Sequence, residues 1–239
     1  MIRKIAVMVL ELIYPSNIYC ICCGRPIDCR FPYSVCPACM RTIRWTNSPD
    51  FDVCGDFSLT EREFDRGFAC ARYGFTERRL VHDFKYRGKS YLAGNLGLLM
   101  FERIRAEGIR PDFVVSVPMH KNKERRRGYN QADLLAGTVS EKMGVPLLKG
   151  LLIRTKDTYP MSMLNAKMRK ENTKGVFRTA EWVKGIIKDK TILLVDDVFT
   201  TGSTAEACSL ELKKAGAGSV YVLTFAASAN AVRGSKSVG

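Results

Sequence analysis

The sequence contains little histidine, little tryptophan and few acidic residues. Its 239 residues include two histidines and two tryptophans, and 38 lysines and arginines outnumber 24 aspartates and glutamates. His82 and His120 are thus the only imidazoles for acid–base chemistry, and a lone histidine is more often structural. The formal net charge of +14 favours an anionic partner, such as a nucleotide, a sugar phosphate or nucleic acid. A solvated basic surface would give the same charge.

Long hydrophobic runs are also missing, and no apolar stretch approaches the ~20 residues that a membrane span needs. Residues 5–13 weakly imitate a signal peptide, but Glu11 interrupts the run, no small-residue cleavage site follows, and Pro15 ends it. We expect a short amphipathic helix there and a soluble, cytoplasmic protein. Apolar residues make up 46% of the chain, which suits one α/β domain plus a small module.

Cysteine, in contrast, is abundant, and its spacing predicts a metal site. Four of the nine cysteines form two Cys-x-x-Cys pairs, separated by residues 24–35. Two such pairs can supply the four thiolates of a structural Zn²⁺ site, which leaves no open position. Gly24 allows the positive φ that a turn beside the first pair needs. The predicted zinc ligands are Cys20, Cys23, Cys36 and Cys39.

Other uses of the cysteines stay open. Disulfides would be expected in a secreted protein, and neither pair follows the βαβ pattern of a thioredoxin-like redox site. Cys22 and Cys29 are alternative members of the ligand set. The other cysteines are expected to be core or incidental thiols: Cys54, Cys70 and Cys208.

The most informative segment covers residues 192–204. An apolar strand ends in two carboxylates, Asp196 and Asp197, and a loop of hydroxyls with one glycine, here called the hydroxyl loop (residues 200–204), leads into a helix predicted over 205–215. Loop amides and the helix dipole favour a bound anion, and open α/β sheets bind ligands at the carboxyl ends of strands. Carboxylates accept hydrogen bonds from sugar hydroxyls or bind Mg²⁺. The segment therefore predicts a site for a phosphorylated sugar. The alternative is an ordinary buried strand capped by Ser203 or Thr204.

Strand-like and helix-like segments alternate along the rest of the chain, which predicts an α/β fold with a mostly parallel sheet. Strands are expected over 67–73 and 112–117, helices over 77–84, 92–106 and 130–143, and a strand–helix–strand unit over 191–225.

We expect three parts along the chain. The polar residues 46–50 are predicted to be a linker. The parts are an N-terminal helix with the cysteine module (1–50), the α/β domain (51–228) and a flexible tail (229–239).

Three basic segments accompany the predicted sugar site. Residues 121–131 are expected to form a loop at the same sheet edge as Asp196, where guanidinium and amide donors suit a pyrophosphate; a solvated loop is the alternative. Lys85 either reaches an anion or stabilises a helix C-terminus. Residues 154–177 are expected to be a mobile hood. Aromatic residues stand between these cations. They would either stack on the bases of single-stranded nucleic acid or pack in an ordinary hydrophobic core.

The segment VDDVFTTGST resembles the ribose-phosphate signature of type I phosphoribosyltransferases, which use 5-phosphoribosyl 1-pyrophosphate (PRPP) with Mg²⁺. The resemblance implies that Asp196 and Asp197 hold the ribose hydroxyls at the catalytic centre. It also implies that the hydroxyl loop wraps the 5′-phosphate, through Thr200, Thr201, Gly202, Ser203 and Thr204.

The order of the motifs resembles a narrower group, the ComF family (competence protein F and its relative GntX). The four-cysteine module is followed by KYRG, VPMHKNKERRRGYNQAD, RKENTKGVF and VDDVFTTGST, so the resemblance covers residues 12–225. It implies a zinc-ribbon-like module before a type I phosphoribosyltransferase fold, and a link to DNA uptake in competent bacteria. By position it adds five residues to the PRPP site: Lys85, Arg127, Asn130, Arg169 and Asn172. Met161 stands where the family usually has glutamine, and methionine cannot make the hydrogen bonds of an amide.

Two classes of function follow. The first is a PRPP-binding phosphoribosyltransferase-like protein linked to competence or nucleotide metabolism. In such an enzyme Mg²⁺ and basic groups would stabilise the departing pyrophosphate, although the sequence shows no clear general base. The second is a single-stranded-DNA-binding competence factor without transferase activity, which uses its basic surface and interacts with the competence machinery.

Overall fold

The computed structural model describes residues 18–28, 31, 33–46, 62–156, 175–183 and 185–228. The helix expected over 5–13 and the tail over 229–239 lie outside these residues. The elements, in chain order, are α1 (Pro37–Thr42), β1 (Arg66–Arg72), α2 (Phe75–Tyr86), α3 (Leu92–Ala106), β2 (Phe113–Ser116), α4 (Lys121–Arg127), α5 (Gln131–Met143), β3 (Leu152–Arg154), β4 (Phe177–Thr179), a 3₁₀ turn (Glu181–Val183), β5 (Thr191–Phe199), α6 (Ser203–Lys214) and β6 (Ser219–Ala227).

Four strands form a parallel sheet in the order β1-β6-β5-β2. The expected α/β fold with a parallel sheet is therefore confirmed. In β5 the residues from Ile192 to Val195 are fully buried, as expected of an inner strand that is covered on both faces. Because parallel strands end at one edge, the carboxyl ends of β2 and β5 lie side by side, with Ser116 paired to Val195.

A hydrophobic core lies on each face of the sheet. On one face, alternate β5 residues such as Leu193 pack with α2, α3 and α5 through Phe84, Met100 and Leu135. On the other face, Leu194 packs with α6 and with the antiparallel pair β3–β4. The period of two along a strand thus assigns neighbouring residues of β5 to different layers.

The basic segment 121–127 forms a helix, so the prediction of a loop there was wrong. Lysine, arginine and glutamate are good helix formers. The His120 side chain accepts a hydrogen bond from the Asn122 amide, at 3.3 Å, and caps the start of the helix. Gly128, with φ of 88°, ends it in the left-handed conformation. His120 therefore has a structural role here.

The cysteine module packs directly on β1. Its residues Cys20, Val35 and Ile43 belong to the same core as α2 and α3. Thr46, expected to begin a polar linker, is 3% exposed, and its hydroxyl donates to the carbonyl of Ala69 at 2.5 Å. That part of the linker prediction was wrong, because the polar side chain satisfies a β1 carbonyl. Residues 47–50 lie outside the described residues. No helix in the described part of the chain is long and apolar enough to cross a membrane.

Candidate functional site

The first candidate site is a group of four thiols. The sulfur atoms of Cys20, Cys23, Cys36 and Cys39 all lie within 4.8 Å of one another. Helix α1 begins at Pro37, between the second pair of cysteines, and the Cys39 amide donates to the Cys36 sulfur at 3.4 Å. Gly24 has φ of 74°, as the turn at the first pair requires. The cluster matches the predicted ligand set and is compatible with structural zinc.

Backbone amides lower the pKa of one thiol in this cluster. Burial alone would raise the pKa of Cys20, but hydrogen bonds from the amides of Cys36, Cys23 and Cys22 lower it to about 6. Amide donors of this kind stabilise a thiolate, the form that binds metal.

Cys22 lies outside the cluster. It is 7% exposed, and burial raises its pKa to about 12, so it is a core thiol. Cys70 and Cys208 are also buried, as expected. Cys29 and Cys54 lie outside the described residues.

The second candidate site surrounds the end of β5. Strand alternation places Asp197 on the α2 face of the sheet, where it is 7% exposed. Asp196 lies on the α6 face, and its carboxylate accepts a hydrogen bond from the Asp197 amide at 2.8 Å. The two carboxylates thus flank the edge of the sheet from opposite layers.

The surroundings of Asp196 shift its pKa. Burial, reinforced by the charge of Asp197, raises the pKa of Asp196 to about 7. The charges of Lys85 and Arg154 act in the opposite direction. Asp196 is consequently a carboxyl group that titrates near neutrality and becomes a good hydrogen-bond acceptor only when it is ionised.

Lys85 approaches Asp197 from the last turn of α2. Its Nζ lies 2.8 Å from Asp197 Oδ2. Burial alone would lower the pKa of Lys85, but the attraction of Asp197 outweighs it and the pKa is raised. The lysine therefore stays charged beside Asp197, and its contact with a ligand stays a prediction.

A second contact fixes the end of α2. The Tyr129 hydroxyl donates to the Phe84 carbonyl at 2.5 Å, and the Gln131 amide group donates to the same oxygen at 3.4 Å. Tyr129 lies in the turn between α4 and α5, and Gln131 is the first residue of α5. This turn therefore positions Lys85 against β5.

The hydroxyl loop joins β5 to α6. Gly202 has φ of 82° and precedes the first residue of the helix. The Thr201 and Ser203 hydroxyls lie 2.9 Å apart, and the Ser228 hydroxyl donates to the Thr200 carbonyl at 2.6 Å. The residue after β6 thus holds the loop. The last two residues of the loop, Ser203 and Thr204, already belong to the first turn of α6, where backbone amides bind an anion best.

Two further predicted residues are engaged within the chain. The Arg127 guanidinium lies 4.9 Å from the Tyr86 ring centroid and donates to Gln131 at 2.6 Å. Asn130 accepts from the Ala132 amide at 3.1 Å and donates to the Val117 carbonyl at 3.1 Å. Asn130 therefore caps α5 and fixes it to the end of β2, and its contact with a ligand stays a prediction.

Part of the predicted site lies outside the described residues: Met161, Arg169 and Asn172. The described ends of the expected hood, Arg154 and Phe177, face each other in the β3–β4 pair, with the guanidinium 5.4 Å from the ring centroid. Since the Arg154 charge acts on Asp196, this end of the segment lies near the aspartates.

Sequence reasoning missed Glu77 and Arg62. The Glu77 carboxylate is 1% exposed and accepts from the amides of Gly74 and Arg44, at 3.0 and 2.8 Å. The spacing of Gly74 and Glu77 is that of a helix start, and it could have placed the beginning of α2 two residues earlier. Arg62 lies beside Gly202, a contact between distant segments that no local pattern reveals.

Comparison with known proteins agrees with this geometry. Residues 132–236 match the family model described as a phosphoribosyl transferase domain. Competence protein F of Haemophilus influenzae is 30% identical over 212 residues, which cover 87% of this chain and 89% of that protein. The chain belongs to the competence protein F family. The DNA utilization protein YhgH of Salmonella typhimurium is 31% identical, over 85% of this chain and 87% of that protein. Competence protein ComFC of Bacillus subtilis is 29% identical over 46% of this chain and 43% of that protein.

The family-model match and the cysteine cluster occupy different parts of the chain. The phosphoribosyltransferase-type match includes the aspartate pair and the hydroxyl loop, whereas the four-cysteine cluster and Lys85 precede it. The two parts nevertheless share one core.

Proposed function

We propose that this competence F family member binds PRPP, or a related ribose phosphate, with Mg²⁺ at the carboxyl end of β5. The observation that carries the proposal is the sequence of groups along one sheet edge. Two carboxylates, Asp196 and Asp197, stand near the end of β5, and the hydroxyl loop and the first turn of α6 follow that strand. Carboxylates suit ribose hydroxyls and Mg²⁺, and a loop before a helix suits a phosphate.

Each group has a distinct task in this proposal. The carboxylates of Asp196 and Asp197 accept hydrogen bonds from the ribose 2′- and 3′-hydroxyls, and the hydroxyl loop holds the 5′-phosphate. Lys85 pairs with Asp197 and brings a positive charge toward the pyrophosphate. Arg127, Arg169 and Asn172 are proposed to contact the ligand as well. Mg²⁺, when bound with PRPP, neutralises charge on the pyrophosphate.

Transfer of the ribosyl group is a further step in the same proposal. A nucleophile would form a bond to C1 while the C1–oxygen bond breaks and pyrophosphate departs with the electron pair. Of the two histidines, His120 caps α4, and His82 lies 3.8 Å from Asp83.

Zinc is proposed as the ion of the four-cysteine cluster. Four thiolates complete a tetrahedral site, so the ion has a structural role. Because Cys20 and Ile43 share a core with β1 and α2, the metal would stabilise the packing of α2, which carries Lys85, on the sheet. Reduced thiols and an intracellular ligand favour the cytoplasm. We keep the division into 1–50, 51–228 and 229–239 as part of this proposal.

A second candidate function is single-stranded DNA binding without transferase activity. Tyr86 is 65% exposed, and the guanidinium of Arg127 lies over its ring. An open hollow of about 340 Å³ beside α4 is lined by Lys121, Glu124, Arg125 and Gly128. Aromatic rings beside cations bind single strands without base readout. The competence and DNA utilization names of the relatives agree with such a partner.

Calorimetric titration of PRPP with Mg²⁺ into the zinc-loaded protein tests the first proposal. We expect saturable binding that Asp197→Asn abolishes. Asp112→Asn is a matched control, because Asp112 also pairs with a lysine, Lys190, at 3.3 Å. This pair lies at the amino ends of β2 and β5, at the edge of the sheet opposite to the proposed site. Absence of binding to the folded wild-type protein would overturn the proposal. Salt-sensitive single-strand binding that survives Asp197→Asn would then support the second function.

A further inference from the structure

Arg62 lies against the hydroxyl loop although it is far from that loop in sequence. A Cβ atom added to Gly202 would lie 2.1 Å from Nη1 of Arg62 and 2.6 Å from Cζ of Phe199. The guanidinium therefore touches the backbone at the residue that precedes α6.

Two aromatic rings hold this guanidinium. Its central carbon lies 5.5 Å from the ring centroids of both Phe64 and Phe199, and the two rings meet edge to face at 6.0 Å. Only 14% of the Arg62 side chain is exposed. Contacts of this kind restrict a guanidinium without neutralising it.

The Arg62 guanidinium lies near the carboxylate of Glu206 in the first turn of α6. Its Nη1 lies 3.4 Å from Oε1 of Glu206, yet this buried nitrogen makes no hydrogen bond within the described residues. Asp65 meets Lys213 at 2.9 Å near the other end of α6. Residues 62–65 consequently run along α6. Arg62 lies at the amino end of this helix, and Asp65 lies near its carboxyl end.

Glu206 creates an electrostatic problem for an anion site. A carboxylate in the first turn stabilises a helix whose N-terminus has no bound anion. The same carboxylate repels a phosphate that binds there. An arginine beside both the carboxylate and the loop removes this repulsion.

We propose that Arg62 is a positioning residue of the hydroxyl loop: it neutralises Glu206 and supports Gly202, so that the loop accepts a phosphate dianion. This inference rests on the proposed ribose-phosphate function. It adds to the site a residue that lies outside the 132–236 match and outside every motif of the sequence analysis.

A charge-removal series tests the inference with ribose 5-phosphate, which isolates the phosphate end of the site. Calorimetry would compare the wild-type protein with Arg62→Gln, Arg62→Lys, Glu206→Gln and the double variant Arg62→Gln/Glu206→Gln. We expect Arg62→Gln to weaken binding by roughly 10- to 100-fold and Arg62→Lys to weaken it less. Glu206→Gln should restore most of the affinity that Arg62→Gln loses.

The restoration is the readout that a purely packing role would not produce. Arg66→Gln is the matched control, because Arg66 also lies over a phenylalanine ring and pairs with a glutamate, at 3.5 Å from Glu107. It should bind ribose 5-phosphate like the wild-type protein. The inference is overturned if Arg62→Gln binds normally, or if Glu206→Gln restores no affinity to it. Failure of the wild-type protein to bind either ribose 5-phosphate or PRPP would instead contradict the proposed function.

Discussion

The Nζ atom of Lys85 lies 2.8 Å from Oδ2 of Asp197 and joins the last turn of α2 to the carboxyl end of β5. The aspartate is 7% exposed, so its charge depends on this lysine for compensation. The pair connects the two halves of the proposed site, since α2 is itself held by the turn that contains Tyr129.

Removal of one partner should therefore cost more than removal of both. We expect Lys85→Met to lower the free energy of unfolding by about 2 kcal/mol, because it leaves a buried carboxylate unpaired. Asp197→Asn in the Lys85→Met background should recover part of this loss. Urea denaturation of the single and double variants measures the coupling, and additive losses would contradict it.

Asp196 should make both ligand binding and stability depend on pH. Its pKa is raised to about 7 by burial and by Asp197, well above that of an unfolded aspartate. The folded state therefore holds a proton that the unfolded state has lost, and stability falls as pH rises from about 4 to about 7. Ionised Asp196 is the better acceptor for ribose hydroxyls, so PRPP affinity should rise over the upper part of the same range.

Asp196→Asn separates these two effects. It should be more stable than the wild-type protein at about pH 8, where the buried charge has its full cost, and its weak PRPP binding should lose the pH dependence. Thermal denaturation and calorimetry at several pH values provide the measurements. An unchanged pH profile in the variant would assign the titration to another group.

Local sequence patterns were sufficient for the sheet edge but not for the contacts across it. An apolar run that ends in Asp196 and Asp197 indicates a strand and its ligand-binding end, and Asn130 is a recognisable helix cap. The helix at 121–127 was missed because its cap is His120, an uncommon capping residue, and the many charges resembled a loop. Arg62 and Gly202 are separated by 140 positions in the sequence. Their contact depends on tertiary packing, which the periodicity of neither segment predicts.

Zinc content should distinguish the four clustered cysteines from their neighbour Cys22. We expect Cys23→Ala to lose the metal and to lower the melting temperature, because three thiolates bind a structural ion weakly. Cys22→Ala should keep the metal, since Cys22 is a buried core thiol outside the cluster. Metal analysis of the two purified variants checks this, and loss of zinc from Cys22→Ala would revise the ligand set.

Gly202→Ala should damage the hydroxyl loop more than backbone strain alone predicts. The residue has φ of 82°, and an added Cβ would collide with Arg62 and Phe199. Gly128→Ala is the matched control, since Gly128 has φ of 88° but no atom within 4 Å of the added Cβ. The control should lose about 1 kcal/mol of unfolding free energy through strain. Gly202→Ala should lose more, and it should also weaken ribose 5-phosphate binding, because the collision displaces the guanidinium from the loop. Equal losses in the two variants would mean that the space beside Gly202 is not constrained by Arg62.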